Sequence, residues 1–370
     1  VRDRLQAALD GFIARGIVGA TLTVARDDGV LTLVAGLADR GLGAAMTADR
    51  LFEVASCTKT FVAATLMALV ADGRVALDAP VARWFPDLVH ADRIRVRQLI
   101  DHTAGLPEFE YAMPVDPNQV WSPAEIVALA FAAGPPDEPG RICAYNNTGY
   151  VLAGMLIEAL TGETLAAQIR RRVLAPLGLR DTFAGAGEPF PRERLARGYY
   201  HRPPPPEGAA GASLAEGGEM WRTGGVLGHS EELQDSTLLF PLTGAYAAGD
   251  IVATGADLAA FLAALVTGRL LPPELTANMV ERRRPMIMSA PGTRIRESGA
   301  GVLALDYDGR RVLGHQGSLP GYVTLMIHEP ASGTTLALTT NTGSGNRLSF
   351  YASGLHELMD TLLAIAAPAG

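Results

Sequence analysis

Strand-type runs stand at both ends of this 370-residue chain, with helical spacing in between. Ala20 to Ala25 and Val30 to Gly36 are β-rich and joined through Asp27-Asp28-Gly29, which predicts a hairpin. Gly301 to Tyr307, Arg311 to Gly314, Tyr322 to His328 and Thr334 to Thr340 form a second set, with tight turns at Asp308-Gly309 and Ser332-Gly333. Helical patterns cover Val1 to Arg15, Thr148 to Leu160, Thr164 to Leu177, Asp257 to Leu265, Glu274 to Glu281 and Phe350 to Ile365. Ser122-Pro123-Ala124-Glu125 is a capping box with proline in the first turn, so another helix starts there. Strands so far apart in sequence share a sheet only if both termini contribute to it. The prediction is an α/β protein with one sheet assembled from both ends and a mainly helical domain inserted. Residues 1–74 and 250–370 are expected to form the sheet domain and 75–249 the helical one, with the active-site cleft between them. A chain of this length is long for one simple core, which fits two lobes. His201 to Asp235 is rich in Gly and Pro, including Pro203 to Pro206, and reads as a surface cover over a cleft.

The basic residues single out one position. Lysine plus arginine total 31, and Lys59 is the one lysine. Arginine stays protonated, whereas a buried amine can lower its pKa and accept a proton. Lys59 is therefore expected to act as a base. Ser56 precedes it by three residues, one turn away on the same helix face. S-x-x-K alone recurs by chance about once in a chain this long. Here the following segment, Phe61 to Val70, is apolar on every face, the mark of a buried helix. A serine at the start of such a helix sits at its positive end, where a developing oxyanion is favoured.

Composition excludes several classes. A net charge of -8 with no basic tract argues against nucleic acid, and no zinc spacing is present. No cofactor and no metal is implied, and a small-molecule or short-peptide substrate is expected. Cys57 and Cys143 are too few for a disulfide scaffold and read as reduced packing residues. No apolar run reaches the ~18 residues of a membrane span. The chain starts at Val1 and shows no signal peptide, so a cytoplasmic protein is expected, with an exported form that has lost a leader as the alternative.

Two further motifs complete a set. Tyr145-x-Asn147 follows a Pro-rich loop in the helical region, and His315-x-Gly317 ends a strand before a Gly-rich turn. With Ser56-x-x-Lys59, in this order, the chain resembles the serine hydrolases related to penicillin-binding proteins and class C β-lactamases. The resemblance runs from about Val18 to Leu355. It is supported by His102 to Pro107 (HTAGLP), Asn147 to Glu158, Leu174 to Thr182 and Gly314 to Tyr322. Within that family it looks closest to the D-stereospecific amino-acid amidases, through ASCTK, RWFPDL (Arg83 to Leu88), GLPEFE (Gly105 to Glu110) and Phe240 to Asp250.

The resemblance implies a β-lactamase/transpeptidase-like fold, with an antiparallel sheet flanked by helices. It implies acyl transfer through an acyl-enzyme, with Ser56 as nucleophile and Lys59 and Tyr145 moving protons. Which of those two is the primary base stays open. Asn147 is expected to hold the substrate amide and orient Lys59, with His315 also in the catalytic set. The oxyanion hole is expected from the backbone N–H groups of Ser56 and Ser318. Glu110 is expected to anchor a substrate α-ammonium, with Gln316, Gly317 and Phe109 lining the site. Tyr111, Trp221 and Tyr246 are further candidate walls.

Departures from the family pattern bear on substrate. His315 stands where β-lactamases usually have the lysine that binds a carboxylate, which suits amides or esters lacking one. Ser318 stands where the amidases are expected to carry glutamine. Alternatives are a DD-carboxypeptidase or broad esterase, a penicillin-binding-type peptide cyclase, and a sensor that acylates without turnover. The cyclases carry an added β-barrel domain, which a chain ending at Gly370 is expected to lack.

Overall fold

The computed structural model describes residues 1–110, 112–113, 116, 118–201, 233–238, 241–287, 294–343 and 353–367. Most of the stretch read as a cleft cover, and Tyr111 and Trp221, lie outside the described residues. Near the N terminus lie β1 (Gly19–Arg26), β2 (Gly29–Asp39), β3 (Ala44–Ala45) and β4 (Phe52–Glu53). The middle contributes β5 (Thr182–Ala184), β6 (Tyr199–His201), β7 (Leu233–Asp235) and β8 (Ile251–Ala253). The last third supplies β9 (Arg284–Pro285), β10 (Ile295–Ser298), β11 (Leu303–Tyr307), β12 (Arg310–Leu319), β13 (Tyr322–Glu329) and β14 (Thr334–Thr340).

Nine of these strands form one sheet in the order β3-β2-β1-β14-β13-β12-β11-β10-β9, and every pairing is antiparallel. The two ends of the chain meet inside it, where β1 pairs β14 from Ala20 opposite Thr340 to Ala25 opposite Thr335. The β1–β2 hairpin and the four C-terminal runs are therefore strands as expected.

Strand alternation gives the sheet two buried faces. Leu22 and Val24 of β1, Leu325 and Ile327 of β13, and Leu336 and Leu338 of β14 pack on one side. Helices Arg2–Ile13 (through Leu5, Leu9 and Phe12) and Ser353–Ala366 (through Leu358 and Leu362) cover them. Met326 and Ala337 point the other way, into a larger core with helix Gly255–Val266 and helix Thr58–Ala71. Each fully buried Leu or Phe there contributes about 1.5–3 kcal/mol. Helix Thr58–Ala71 runs through this core with Thr58 to Met67 and Leu69 all buried, and Phe61 stacks on Phe261 at 3.7 Å. Its all-round apolar sequence is thus explained: it has no solvent face over those residues.

Several details differ from the sequence reading, among them β12, which runs through His315 and Gly317 to Leu319 instead of ending at that motif. The single helix expected over Thr164 to Leu177 is Leu165–Ile169, a π-helical turn Arg170–Leu174, and Ala175–Leu177. Pro176 has no N–H to give the α ladder, and the Ala175 N–H instead reaches back five residues to the Arg170 carbonyl. In the mainly helical stretch, β5 forms a second antiparallel sheet with β8 and β4, in the order β4-β8-β5. Among the described residues, no single helix is long and apolar enough to cross a membrane.

Candidate active site

Ser56 is placed by a strained turn between β4 and the buried helix. The chain leaves β4, passes Val54 and enters a 3₁₀ turn, Ala55–Cys57, that runs into Thr58–Ala71. Ala55 has φ 50°, a left-handed conformation costly for a residue with a Cβ. Strain of this kind costs on the order of 1–3 kcal/mol and persists only where neighbours enforce it. Here β8 does so from both ends. The Val54 N–H donates to the Ile251 carbonyl at 2.9 Å, and the Ile251 N–H donates to Thr58 Oγ1 at 3.0 Å. The third support is β12. A Cβ at Gly317 would lie 2.1 Å from the Val54 carbonyl oxygen and 3.0 Å from Ser56 N. Only glycine lets β12 approach this closely, which is the physical content of the H-x-G motif.

Lys59 is fully buried and turned onto the serine. Its Nζ donates to Ser56 Oγ at 3.1 Å and to the Ala248 carbonyl at 2.7 Å. Ala248 belongs to the 3₁₀ turn Tyr246–Ala248, which opens on another left-handed residue, Tyr246 with φ 37°. Tyr246 itself is half-buried, and its ring packs on helix Thr148–Thr161 beside Gly154. Burial pulls the Lys59 pKa down to about 8, against the pull of the nearby Glu110 and Glu108 carboxylates.

Tyr145 closes over this pair, with its ring centroid 5.1 Å from Lys59 Nζ. Burial holds the phenol well above its ordinary pKa, the Glu110 and Glu108 charges add to that, and hydrogen bonding with Ser56 opposes it. His315 lies on β12, fully buried, with its ring centroid 6.2 Å from that of Tyr145. Its Nδ1 lies 2.7 Å from the Gln316 carbonyl, so Nδ1 carries the proton and Nε2 is an acceptor. Burial and the Lys59 charge push the His315 pKa down to about 3, so the ring is neutral.

The other candidates divide. Asn147 is buried and gives its side-chain N–H to Glu110 Oε2 at 2.8 Å, while its backbone N–H goes to Glu108 Oε2 at 2.7 Å. Among the described residues Asn147 makes no hydrogen bond to Lys59; the Ala248 carbonyl and Ser56 orient the lysine. Burial and the Glu108 charge raise the Glu110 carboxyl to about 7, and burial raises Glu108 too. β12 sets His315 opposite Met326 and Gln316 opposite Leu325, whose side chains point to opposite faces. Gln316 thus enters through its carbonyl, and its side chain, like that of Ser318 opposite Val323, is turned away from the His315 face. Phe109 is 3% exposed and packed into the helical-side core. Cys57 and Cys143 are free and buried. No group of three or more His, Cys, Asp or Glu side chains among the described residues could hold a metal ion.

Three contributors escaped the motif reading: Glu108, His102 and the Ala248 carbonyl. An E-x-E pair in GLPEFE was the available signal for Glu108. A backbone carbonyl 189 residues from its lysine leaves no sequence signal.

Comparisons with known proteins place the chain. The model of the Beta-lactamase family matches residues 2–357. The structure of the D-amino acid amidase from Ochrobactrum anthropi SV3, complexed with L-phenylalanine amide, superposes with a TM-score of 0.87 at 39% identity, covering 98% of this chain and 97% of that one. Penicillin-binding protein 4 of Amycolatopsis lactamdurans is 26% identical over 364 residues, 95% of this chain and 87% of its own. Esterase EstB of Burkholderia gladioli is 36% identical over 228 residues, 55% of this chain and 56% of its own.

Proposed function

The chain belongs to the Beta-lactamase family, and from that premise we propose that it is a serine hydrolase cleaving amides of D-amino acids through an acyl-enzyme. One observation carries the reading: a fully buried amine, its pKa lowered to about 8, lies 3.1 Å from Ser56 Oγ. The similarity over nearly the whole chain to a D-amino acid amidase supports the substrate class.

In this reading Ser56 Oγ attacks the amide carbonyl and gives its proton to neutral Lys59. The opposite pKa shifts support a division of labour between the two proton carriers. Lys59 is brought toward neutrality and is the base; Tyr145 is held protonated and delivers a proton to the leaving amine. The oxyanion sits between the N–H groups of Ser56 and Ser318, a geometry supported by the close approach of β12 to Ser56 N at Gly317. Tyr145 and Lys59 then activate water for deacylation. Glu110 receives the substrate α-ammonium: a carboxyl that titrates near neutrality in the free site becomes a full carboxylate when a cation docks beside it. His315 stays neutral and offers Nε2 as an acceptor, so it supplies no cation for a substrate carboxylate.

A broad esterase on the same machinery is the second reading, favoured by the 36% identity to Esterase EstB. Release of ammonia from D- and L-phenylalaninamide, with Ser56→Ala as the blank, separates the two. Turnover of the D form alone, lost in the variant, is expected. Ester hydrolysis without ammonia release would sink the amidase reading.

A further inference from the structure

One residue outside the three motifs grips Tyr145 and both its neighbours. The His102 carbonyl accepts from the Ala144 N–H at 3.0 Å. Its Nδ1 accepts from the Asn146 N–H at 3.0 Å. Its ring stacks on the Tyr145 ring, with centroids 4.6 Å apart and planes 25° from parallel. The same imidazole lies 5.3 Å from the ring of Tyr150, whose hydroxyl is tied to the Ile100 carbonyl at 2.6 Å. His102 is only 4% exposed and has φ 62°, a conformation that persists where the surroundings enforce it.

We propose that His102 is a positioning residue for the acyl-transfer step, holding the Tyr145 phenol where it meets Ser56 and the leaving nitrogen of the substrate. This rests on the roles given above to Ser56 and Tyr145. The grip requires a neutral imidazole, because Nδ1 must keep its lone pair for the Asn146 N–H. The environment supplies that condition: burial first, then the Lys59 charge, push the ring well below the usual histidine range. Its Nε2 has no hydrogen-bond partner among the described residues, so the contacts that fix it run through Nδ1, the carbonyl and the π face.

The chemistry separates positioning from mere support of the fold. An amide nitrogen leaves only when protonated, whereas p-nitrophenolate leaves without a proton. A residue that acts through Tyr145 matters for amides and little for acylation by an activated ester. His102→Asn tests this, since Asn tolerates a left-handed φ and offers Oδ1 to the Asn146 N–H while removing the stacked ring. The probes are D-phenylalaninamide turnover and the burst of p-nitrophenolate from p-nitrophenyl acetate. Counting kcat per burst equivalent removes any unfolded enzyme from the comparison. The expected result is an amide kcat lower by roughly tenfold to hundredfold, KM within about twofold, and a burst rate within about threefold. In a Tyr145→Phe background the same substitution should add no further loss. Equal losses on amide and ester, a full further loss beside Tyr145→Phe, or unchanged amide turnover each overturn the proposal while leaving the hydrolase reading intact. A wild-type enzyme that turns over neither substrate overturns both.

Discussion

Among the described residues Lys59 has two hydrogen-bond partners, Ser56 Oγ and the Ala248 carbonyl, and it has no solvent exposure. An arginine there keeps a charge and could keep a hydrogen bond, but it has no neutral form near physiological pH. Lys59→Arg should therefore lower kcat on the order of 10⁴-fold with the far-ultraviolet circular dichroism unchanged; retained turnover would remove Lys59 as the base. The same amine sets a pH profile. Its neutral form dominates above about 8, so labelling of Ser56 by an uncharged fluorophosphonate should rise about tenfold per pH unit below that value and level off above it. A flat profile from pH 6 to 9 would contradict a lysine base. Glu110 is separable from this machinery because glutamine keeps an acceptor for the Asn147 side chain, now bonded at 2.8 Å. Glu110→Gln should raise KM for D-phenylalaninamide roughly tenfold to hundredfold, the worth of a charge-assisted hydrogen bond, and leave the N-acetylated amide within about twofold. Equal effects on both substrates would take Glu110 out of ammonium recognition.

Between elements, the decisive contact is β12 against the turn that carries Ser56. With a Cβ at Gly317 only 2.1 Å from the Val54 carbonyl oxygen, Gly317→Ala must push β12 or the turn aside. Both bear the proposed oxyanion donors, so acylation should fall by about 10²-fold or more while the sheet still folds. Wild-type acylation rates in that variant would mean the two elements are not coupled as described. This contact also shows what the sequence could and could not convey. Ser56 and Lys59 were legible because three residues of helix fix their geometry locally. Strand periods announced β1, β2 and β11 to β14. Gln316 is expected to line the site with His315, yet on β12 adjacent side chains point to opposite faces and its own turns away. Asn147 was expected on Lys59 but binds Glu110, because loop 105–110 is fastened to the start of helix Thr148–Thr161 through the Leu106 and Pro107 carbonyls. His102 lies 43 residues before Tyr145, and such a pairing is set by the tertiary fold, not by spacing.

Across the whole molecule, the groups buried without a compensating opposite charge set how stability depends on pH. Glu53 in β4 and Asp250 before β8 are both 2% exposed, and burial raises each carboxyl to about 8. Glu53 receives the Leu238 N–H at 3.3 Å, and Asp250 the Ala186 N–H at 3.4 Å. The native state thus holds protons that the unfolded chain releases near pH 4, so stability is fully present below that pH and is lost as pH rises through about 8. The histidines act in the opposite sense. His315, lowered to about 3, and His102, lowered also, bind fewer protons when folded, so they favour the native state increasingly as pH rises toward 6.5. Between about 4.5 and 6.5 the histidines oppose the acids. From 6.5 to 8 the histidines no longer oppose these acids, which Glu110 joins until it ionises near 7, each costing up to about 1.4 kcal/mol per pH unit. Above 8 the sign reverses again, because Lys59 is neutral in the folded protein while an exposed lysine is still charged. The midpoint of thermal unfolding should therefore fall by several degrees from pH 6.5 to pH 8. Replacing both acids by their amides, Glu53→Gln with Asp250→Asn, should flatten that descent and raise the pH 8 midpoint by on the order of 10 °C while changing little at pH 4. A variant that follows the wild-type curve in parallel would show that neither carboxyl retains its proton in the fold, and that the descent has another source.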